Sequence, residues 1–180
     1  MLSKMKKHIL FFLLFFAFFG VLSSQQQEET KNFVAGKNEF LLNGKPYIIR
    51  AGELHYSRIP RQYWDHRIKM AKAMGMNTIC IYLFWNYHEQ QEGVFDFSGQ
   101  KDVAEFVKLI QQNGMYCILR PGPYVCAEWD MGGLPWWLLK KTDLKVRGKS
   151  DSFYMEKVKT YLGKAAEQLA KYQIQNGGPI

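Results

Sequence analysis

Cysteine is scarce in this chain and arrives late. None precedes Cys80, which excludes a lipoprotein acylation site near the amino terminus. The three present, Cys80, Cys117 and Cys126, are too few and too far apart for a disulfide framework or a zinc cluster. Cys80 and Cys117 lie in apolar, strand-like runs, where a free thiol behaves as a small hydrophobe. One disulfide plus one free thiol is compatible with an exported chain, but the spacing does not require it, and no metal site is expected. Glycine-rich phosphate loops, HExxH, GxSxG and CxxC are missing as well. Their absence removes the usual nucleotide, zinc-protease, serine-esterase and dithiol readings.

Long apolar runs are also lacking, with one exception. Ile9 to Leu22 follows Lys4, Lys6 and Lys7 and precedes Ser23 and Ser24. That is the layout of a secretory signal over residues 1–24. The run is shorter than the ~20 residues a membrane-spanning helix needs, so contact with a membrane is expected only through this segment during export. An uncleaved anchor is the alternative. The destination is periplasmic or extracellular. Removing the three signal lysines from 24 basic residues leaves 21 against 16 acidic ones. The excess lies largely between Lys140 and Lys171 without forming a single stripe, so no nucleic-acid partner is expected.

Residues 25–39 read as a polar N-terminal segment. From Phe40 to Ile49, Asn43-Gly44 sits between apolar runs and predicts a hairpin; its second arm, Tyr47 to Ala51, is expected to enter the main sheet. Ile59-Pro60 opens a helix with Trp64, Ile68, Ala71 and Met74 on one face and Gly75 at its end. Asn77 to Trp85 is a continuous β-prone run of the kind covered on both faces. Ser98 is expected to cap a second helix striped with Val103, Phe106, Val107 and Ile110, stopped by Asn113-Gly114. Met115 to Leu119 forms a third strand. Asp151-Ser152 starts a third helix carrying Val158, Tyr161, Leu162, Ala165, Leu169 and Tyr172, ending near Asn176 to Gly178. Pro179-Ile180 looks like the first step of a fourth strand.

This α/β alternation predicts a parallel sheet, either doubly wound or a (β/α)8 barrel. A barrel takes ~250 residues for eight repeats, and the three βα units here would be only a part of one. Three such strands leave an unpaired edge, and the chain alone is expected to be poorly soluble or partly folded.

The most informative segment is Ile118 to Leu138, ILRPGPYVCAEWDMGGLPWWL. It has neither a helical nor a strand period beyond its first residues and reads as a long loop leaving a strand, where α/β proteins place their sites. Glu53, Glu89, Glu128 and Asp130 all follow strands and share the C-terminal rim of a parallel sheet. Carboxylates among aromatics suit glycoside chemistry, in which two carboxyl groups flank the scissile bond and aromatic rings wall the sugar. Tyr82, Trp85, Tyr124, Trp129, Trp136 and Trp137 are the candidate walls, although Trp136 and Trp137 also fit as core or loop anchors. Asp130 equally fits as a partner of loop amides. On the second strand, alternation turns Ile79, Ile81 and Leu83 toward the helices and Thr78, Cys80 and Tyr82 inward. The Tyr82 hydroxyl then meets either a ligand or another strand. Arg120 is expected to hold nearby carboxylates ionised and oriented. Ser57 lies two residues from His55, but the pair lacks the signature of nucleophilic serine catalysis, and His55 reads as a hydrogen-bonded packing residue.

Four motifs together resemble glycoside hydrolase family 35, the retaining β-galactosidases: GELHYSRIP (Gly52 to Pro60), YLFWNYHE (Tyr82 to Glu89), GVFDFSG (Gly93 to Gly99) and RPGPYVCAEWDMGGLPWWL (Arg120 to Leu138). The resemblance covers residues 40–180 and implies that they are an incomplete catalytic barrel. It implies release of terminal β-linked galactose from an oligosaccharide or glycoconjugate, through a covalent galactosyl-enzyme, with no metal or other cofactor. Carried over by position, Tyr82, Cys126, Ala127 and Glu128 match positions that bind galactose hydroxyls in this family; Arg120, Trp129 and Glu89 are candidates to support them. The family's acid/base glutamate follows a GGPI-type segment, here Gly177 to Ile180, and its nucleophile lies further on. Both reacting carboxylates are thus expected beyond Ile180, leaving these 180 residues inactive alone. A non-catalytic, exported galactose-binding fragment is the alternative.

Overall fold

The computed structural model describes residues 31–180. The signal-like segment and the start of the polar stretch lie outside the described residues. Two sheets form. The smaller is antiparallel, with β1 (Phe33–Ala35) paired to β2 (Phe40–Leu42) and β2 to β3 (Lys45–Pro46). The hairpin turns at Asn43-Gly44 as expected, both at positive φ. β1 is an addition, found inside the stretch read as polar. Its Phe33 ring stacks on Phe40 at 5.4 Å, so two β-prone aromatics select the pairing.

The larger sheet is parallel, in the order β4 (Ala51–Glu53), β5 (Thr78–Tyr82), β6 (Tyr116–Arg120). Its register sets Glu53 beside Cys80 and Tyr82 beside Arg120. The second hairpin arm therefore does not run into this sheet; only Ala51 of that arm belongs to it. The reason is Asn77, whose Nδ2 donates to the Ile48 carbonyl at 2.8 Å while its Oδ1 accepts from the Arg50 amide at 2.9 Å. One side chain satisfies the backbone that a strand partner would otherwise need. Tyr47 meets Tyr116 edge-on at 5.5 Å, which seats the small sheet against the N-terminal end of β6.

Among the described residues four α-helices accompany the sheet: α1 (Trp64–Ala73), the short α2 (Trp85–His88), α3 (Val103–Gln112) and α4 (Ser152–Leu169). Three sequence expectations are corrected. A 3-10 turn at Arg61–Tyr63 precedes α1, and Met74 lies past its end and is exposed. α3 is capped by Asp102, which accepts from the Glu105 amide at 2.8 Å, because Ser98 is followed by a separate 3-10 turn, Gly99–Lys101. α4 ends at Leu169, and two 3-10 turns carry the chain on to Asn176. Its start is as read: Asp151 accepts from the Tyr154 amide at 3.0 Å.

Strand alternation divides the core. Ile79, Ile81 and Leu83 are fully buried among Ile68, Phe106, Val107 and Ile110 of the helices. On the other face Tyr82 joins Phe84 and Val125 in a second cluster. Trp85 of α2 stacks on Tyr161 of α4 at 5.0 Å, and the Tyr161 hydroxyl donates to the Pro121 carbonyl at 2.8 Å. Burial raises the pKa of that phenol, so it acts as a fixed donor. At the outer edge of β6, the Cys117 amide donates to the Pro179 carbonyl at 2.7 Å. All three cysteines are free.

His88 is fully buried between these layers. Its Nδ1–H donates to the Asp96 carbonyl at 2.9 Å, its Nε2 accepts from the Tyr56 hydroxyl at 2.5 Å, and its ring stacks on Phe97 at 4.4 Å. Burial lowers its pKa from 6.5 to about 4. The unfolded chain then takes up a proton that the folded one refuses, so stability is full above pH ~6.5 and declines as pH falls toward ~4, at up to about 1.4 kcal/mol per pH unit. Urea unfolding of the wild type and His88→Gln across this window is expected to show that slope only in the wild type. Equal slopes would contradict the assignment.

Candidate functional site

The carboxyl ends of β4, β5 and β6 deliver Glu53, Tyr82 and Arg120 to one rim, as parallel pairing requires. Arg120 Nη1 meets the Tyr82 hydroxyl, and its guanidinium lies 4.3 Å from the centre of the Tyr82 ring. The same Nη1 stands 4.0 Å from Glu53 Oε2. The Tyr82 hydroxyl thus contacts the neighbouring strand. Burial, then the charge of Glu53, raises the Tyr82 pKa, so its hydroxyl keeps its proton. Arg120 does face a carboxylate, and it is Glu53.

From Glu53 the network continues outward. Glu53 Oε1 is 2.7 Å from His55 Nε2, and His55 Nδ1 is 2.5 Å from Arg58 Nη1. Arginine has only donors, so Nδ1 accepts and the proton sits on Nε2, where it serves Glu53. The His55 ring stands edge-on to Tyr82 at 5.3 Å and to Phe84 at 5.5 Å, the packing role expected for it. His55 is thus not paired to Ser57, whose buried hydroxyl has no partner among the described residues.

Arg58 is where the rim meets the long loop. Its Nη2 donates to the Ala127 carbonyl at 2.8 Å and the Glu128 carbonyl at 2.7 Å, and its guanidinium lies 5.0 Å from the Trp129 ring and 5.7 Å from Phe84. The backbone it holds is unusual. Cys126, Ala127 and Glu128 have φ of 61°, 53° and 47°, three successive left-handed L-residues, each costing roughly 1–2 kcal/mol. Beyond Trp129 the loop turns again through Met131 and Gly132, both at positive φ. A Cβ on Gly132 would run into the Tyr124 ring, so only glycine lets the loop close on itself. Ala127 packs against the Tyr82, Phe84 and Val125 cluster, while Cys126 and Glu128 are exposed. Trp129 stacks on Phe84 at 4.1 Å, and its Nε1–H donates to Asn86 Oδ1 at 2.8 Å.

Of the positions chosen from sequence, Tyr82 and Arg120 form one end of this network and Ala127, Glu128 and Trp129 the other, with Cys126 opening the turn. Glu89 does not join them. Its carboxylate accepts from Trp85 Nε1 at 2.5 Å and from the Gly93 amide at 2.7 Å, and its backbone oxygen from Trp137 Nε1 at 3.1 Å. Burial raises its pKa. It ties Trp85 and Trp137, both core residues rather than rim walls, to the segment after α2. Arg58 and Asn86 were given no role from sequence although both lie in quoted motifs. Among the described residues no cluster could hold a metal ion, and no helix is long and apolar enough to cross a membrane.

Arg58→Lys keeps the charge but loses the planar fork. The amides of residues 126–129 are expected to exchange with solvent about tenfold faster in this variant, while those of α3 keep their wild-type rates. Uniform acceleration would mean general destabilisation and contradict a local clamp.

Residues 39–180 match the family described as Glycosyl hydrolases family 35. The chain is 48% identical over 143 residues to a β-galactosidase of Canis lupus familiaris, covering 79% of this chain and 21% of that protein. A β-galactosidase of Xanthomonas manihotis is 45% identical over 153 residues, 85% of this chain and 25% of its own length. The chain thus spans about a quarter or less of the curated relatives it matches. Among solved structures, an exo-β-1,4-mannosidase from Opitutaceae bacterium strain TAV5 aligns with a TM-score of 0.60 over 74% of this chain and 24% of that one, at 14% identity, a likeness of fold alone. With a family match over most of its length and relatives nearly half identical, the chain belongs to glycosyl hydrolase family 35.

Proposed function

We propose that residues 40–180 are the first three βα units of a (β/α)8 barrel and form the galactose-holding part of a retaining β-galactosidase. The reading rests on one observation above the others, the clamped left-handed turn Cys126–Ala127–Glu128 at the same rim as Tyr82 and Arg120. A turn of this shape presents successive backbone groups and the exposed Glu128 carboxylate toward a ligand. A carboxylate accepts from sugar hydroxyls, and Tyr82, Cys126, Ala127 and Glu128 are the positions assigned to that task. Arg120 and Trp129 hold them in place. The inward face of β6 supports the barrel: Ile118 is 37% exposed, and an apolar cavity of about 270 Å³ runs from Tyr47 and Ile49 past Tyr116 to Ile180. An inner face of that kind is what further barrel strands cover.

The substrate class is a terminal β-galactoside on an oligosaccharide or glycoconjugate, and the bond is cleaved with retention by two glutamates outside these residues. Glu128 binds rather than reacts. Residues 1–24 direct export, to the periplasm or the exterior.

Hydrolysis of a chromogenic β-galactoside tests this. Residues 1–180 alone are expected to give no turnover, whereas residues 40–180 in place of the matching segment of the Xanthomonas manihotis relative are expected to give an active, retaining hybrid. Glu128→Gln in that hybrid should lower kcat/KM about 10- to 100-fold, the loss of a hydrogen bond to a charged group. Turnover by residues 1–180, abolished by Glu128→Gln, would make Glu128 a reacting group and overturn the assignment.

A further inference from the structure

A second concavity lies on the same rim, on the far side of Trp129. It measures about 400 Å³ and is lined by Asn86, Tyr87, Gln90, Trp129, Asp130 and Trp136, a size within the ~300–1,000 Å³ of small-molecule sites. Trp136 is 57% exposed. Its orientation is nevertheless fixed: Nε1–H donates to the Gln90 carbonyl at 3.1 Å. Lys140, which does not line the crevice, stands 5.3 Å from the ring centre. Trp129 is held by Asn86 and by its stack on Phe84. Both indole N–H groups are already used; Trp129 is stacked on Phe84 with Arg58 over its ring, so Trp136 is the ring with a face to offer.

The polar groups around that face are the reverse. The Asp130 carboxylate accepts from no described residue, and the Gln90 amide makes no hydrogen bond to one. Asn86 uses a single amide hydrogen, on the Asp130 carbonyl at 3.1 Å, and has further donor and acceptor capacity. A fixed aromatic face on Trp136 beside unspent amide and carboxylate groups suits a ligand with an apolar C–H face and several hydroxyls. A phosphate-bearing ligand is disfavoured by Asp130.

We propose that this crevice is a carbohydrate subsite distinct from the Tyr82 and Glu128 group. It takes one pyranose ring, the C–H face on Trp136 and vicinal hydroxyls on Asp130 and Gln90. The choice of a sugar rests on the glycosidase reading of the rim, while the site itself rests on the geometry of Trp136.

Fluorine NMR of the 180-residue chain, labelled with fluorotryptophan at its five tryptophans and titrated with lactose, tests it. The Trp136 resonance, identified as the one missing in Trp136→Phe, is expected to shift saturably in the millimolar range. Asp130→Asn should weaken that titration about tenfold, whereas Glu128→Gln should leave it unchanged. A Trp136 resonance that stays still, or that titrates identically in Asp130→Asn, would overturn the subsite. Broadening that depends on protein concentration and not on lactose would identify Trp136 as a self-association contact and overturn it too. If Trp136 titrates while Glu128→Gln leaves kcat/KM of the active hybrid unaltered, the galactose pocket fails and the crevice stands.

Discussion

The fork of hydrogen bonds from Arg58 to the Ala127 and Glu128 carbonyls is the constraint on which the rim depends. Three left-handed L-residues in succession are held only where surroundings over-determine them. Arg58 supplies that determination from several sides at once: two carbonyls, the faces of Trp129 and Phe84, and His55 behind. Through His55 it reaches Glu53, and from there Arg120 and Tyr82. Residues from three strand ends and one long loop thereby form one connected polar layer above the sheet.

That layer exists because the sheet is parallel and β5 is covered on both faces. Alternation sends Ile79, Ile81 and Leu83 to the helices, where burial stabilises the frame, and releases Tyr82 and Phe84 to the other side. The frame is apolar and its pKa-shifted groups are inert: His88 is held neutral, and the Cys117 thiol is pushed up by burial. The connected polar network is confined to the edge where strands end, the usual place for ligands in α/β architectures.

Much of this was legible in the residues. The βα alternation, the faces of β5, the Asp151 cap and the long irregular loop after β6 all follow from short-range pattern. What escaped depends on side chains acting over long separations. Arg58 meets carbonyls 69 and 70 positions away, and no local period encodes such a contact. Asn77 ends the hairpin arm by bonding backbone 27 and 29 positions earlier. Glu89 sits in a motif beside rim residues, yet turns inward because Trp85 and Gly93 offer donors there. Ser98 and Asp102 are both good caps, and only the intervening 3-10 turn decides between them.

If Arg58 acts through the turn that presents Glu128, the two residues must be energetically coupled. The direct measurement is a double-mutant cycle of Arg58→Lys and Glu128→Gln on kcat/KM for a β-galactoside in the active hybrid. The clamp predicts a coupling of about 1 kcal/mol or more, the double variant losing little beyond the worse single one. Effects that add to within about 0.5 kcal/mol would mean that Arg58 and Glu128 act independently, and would contradict the clamp.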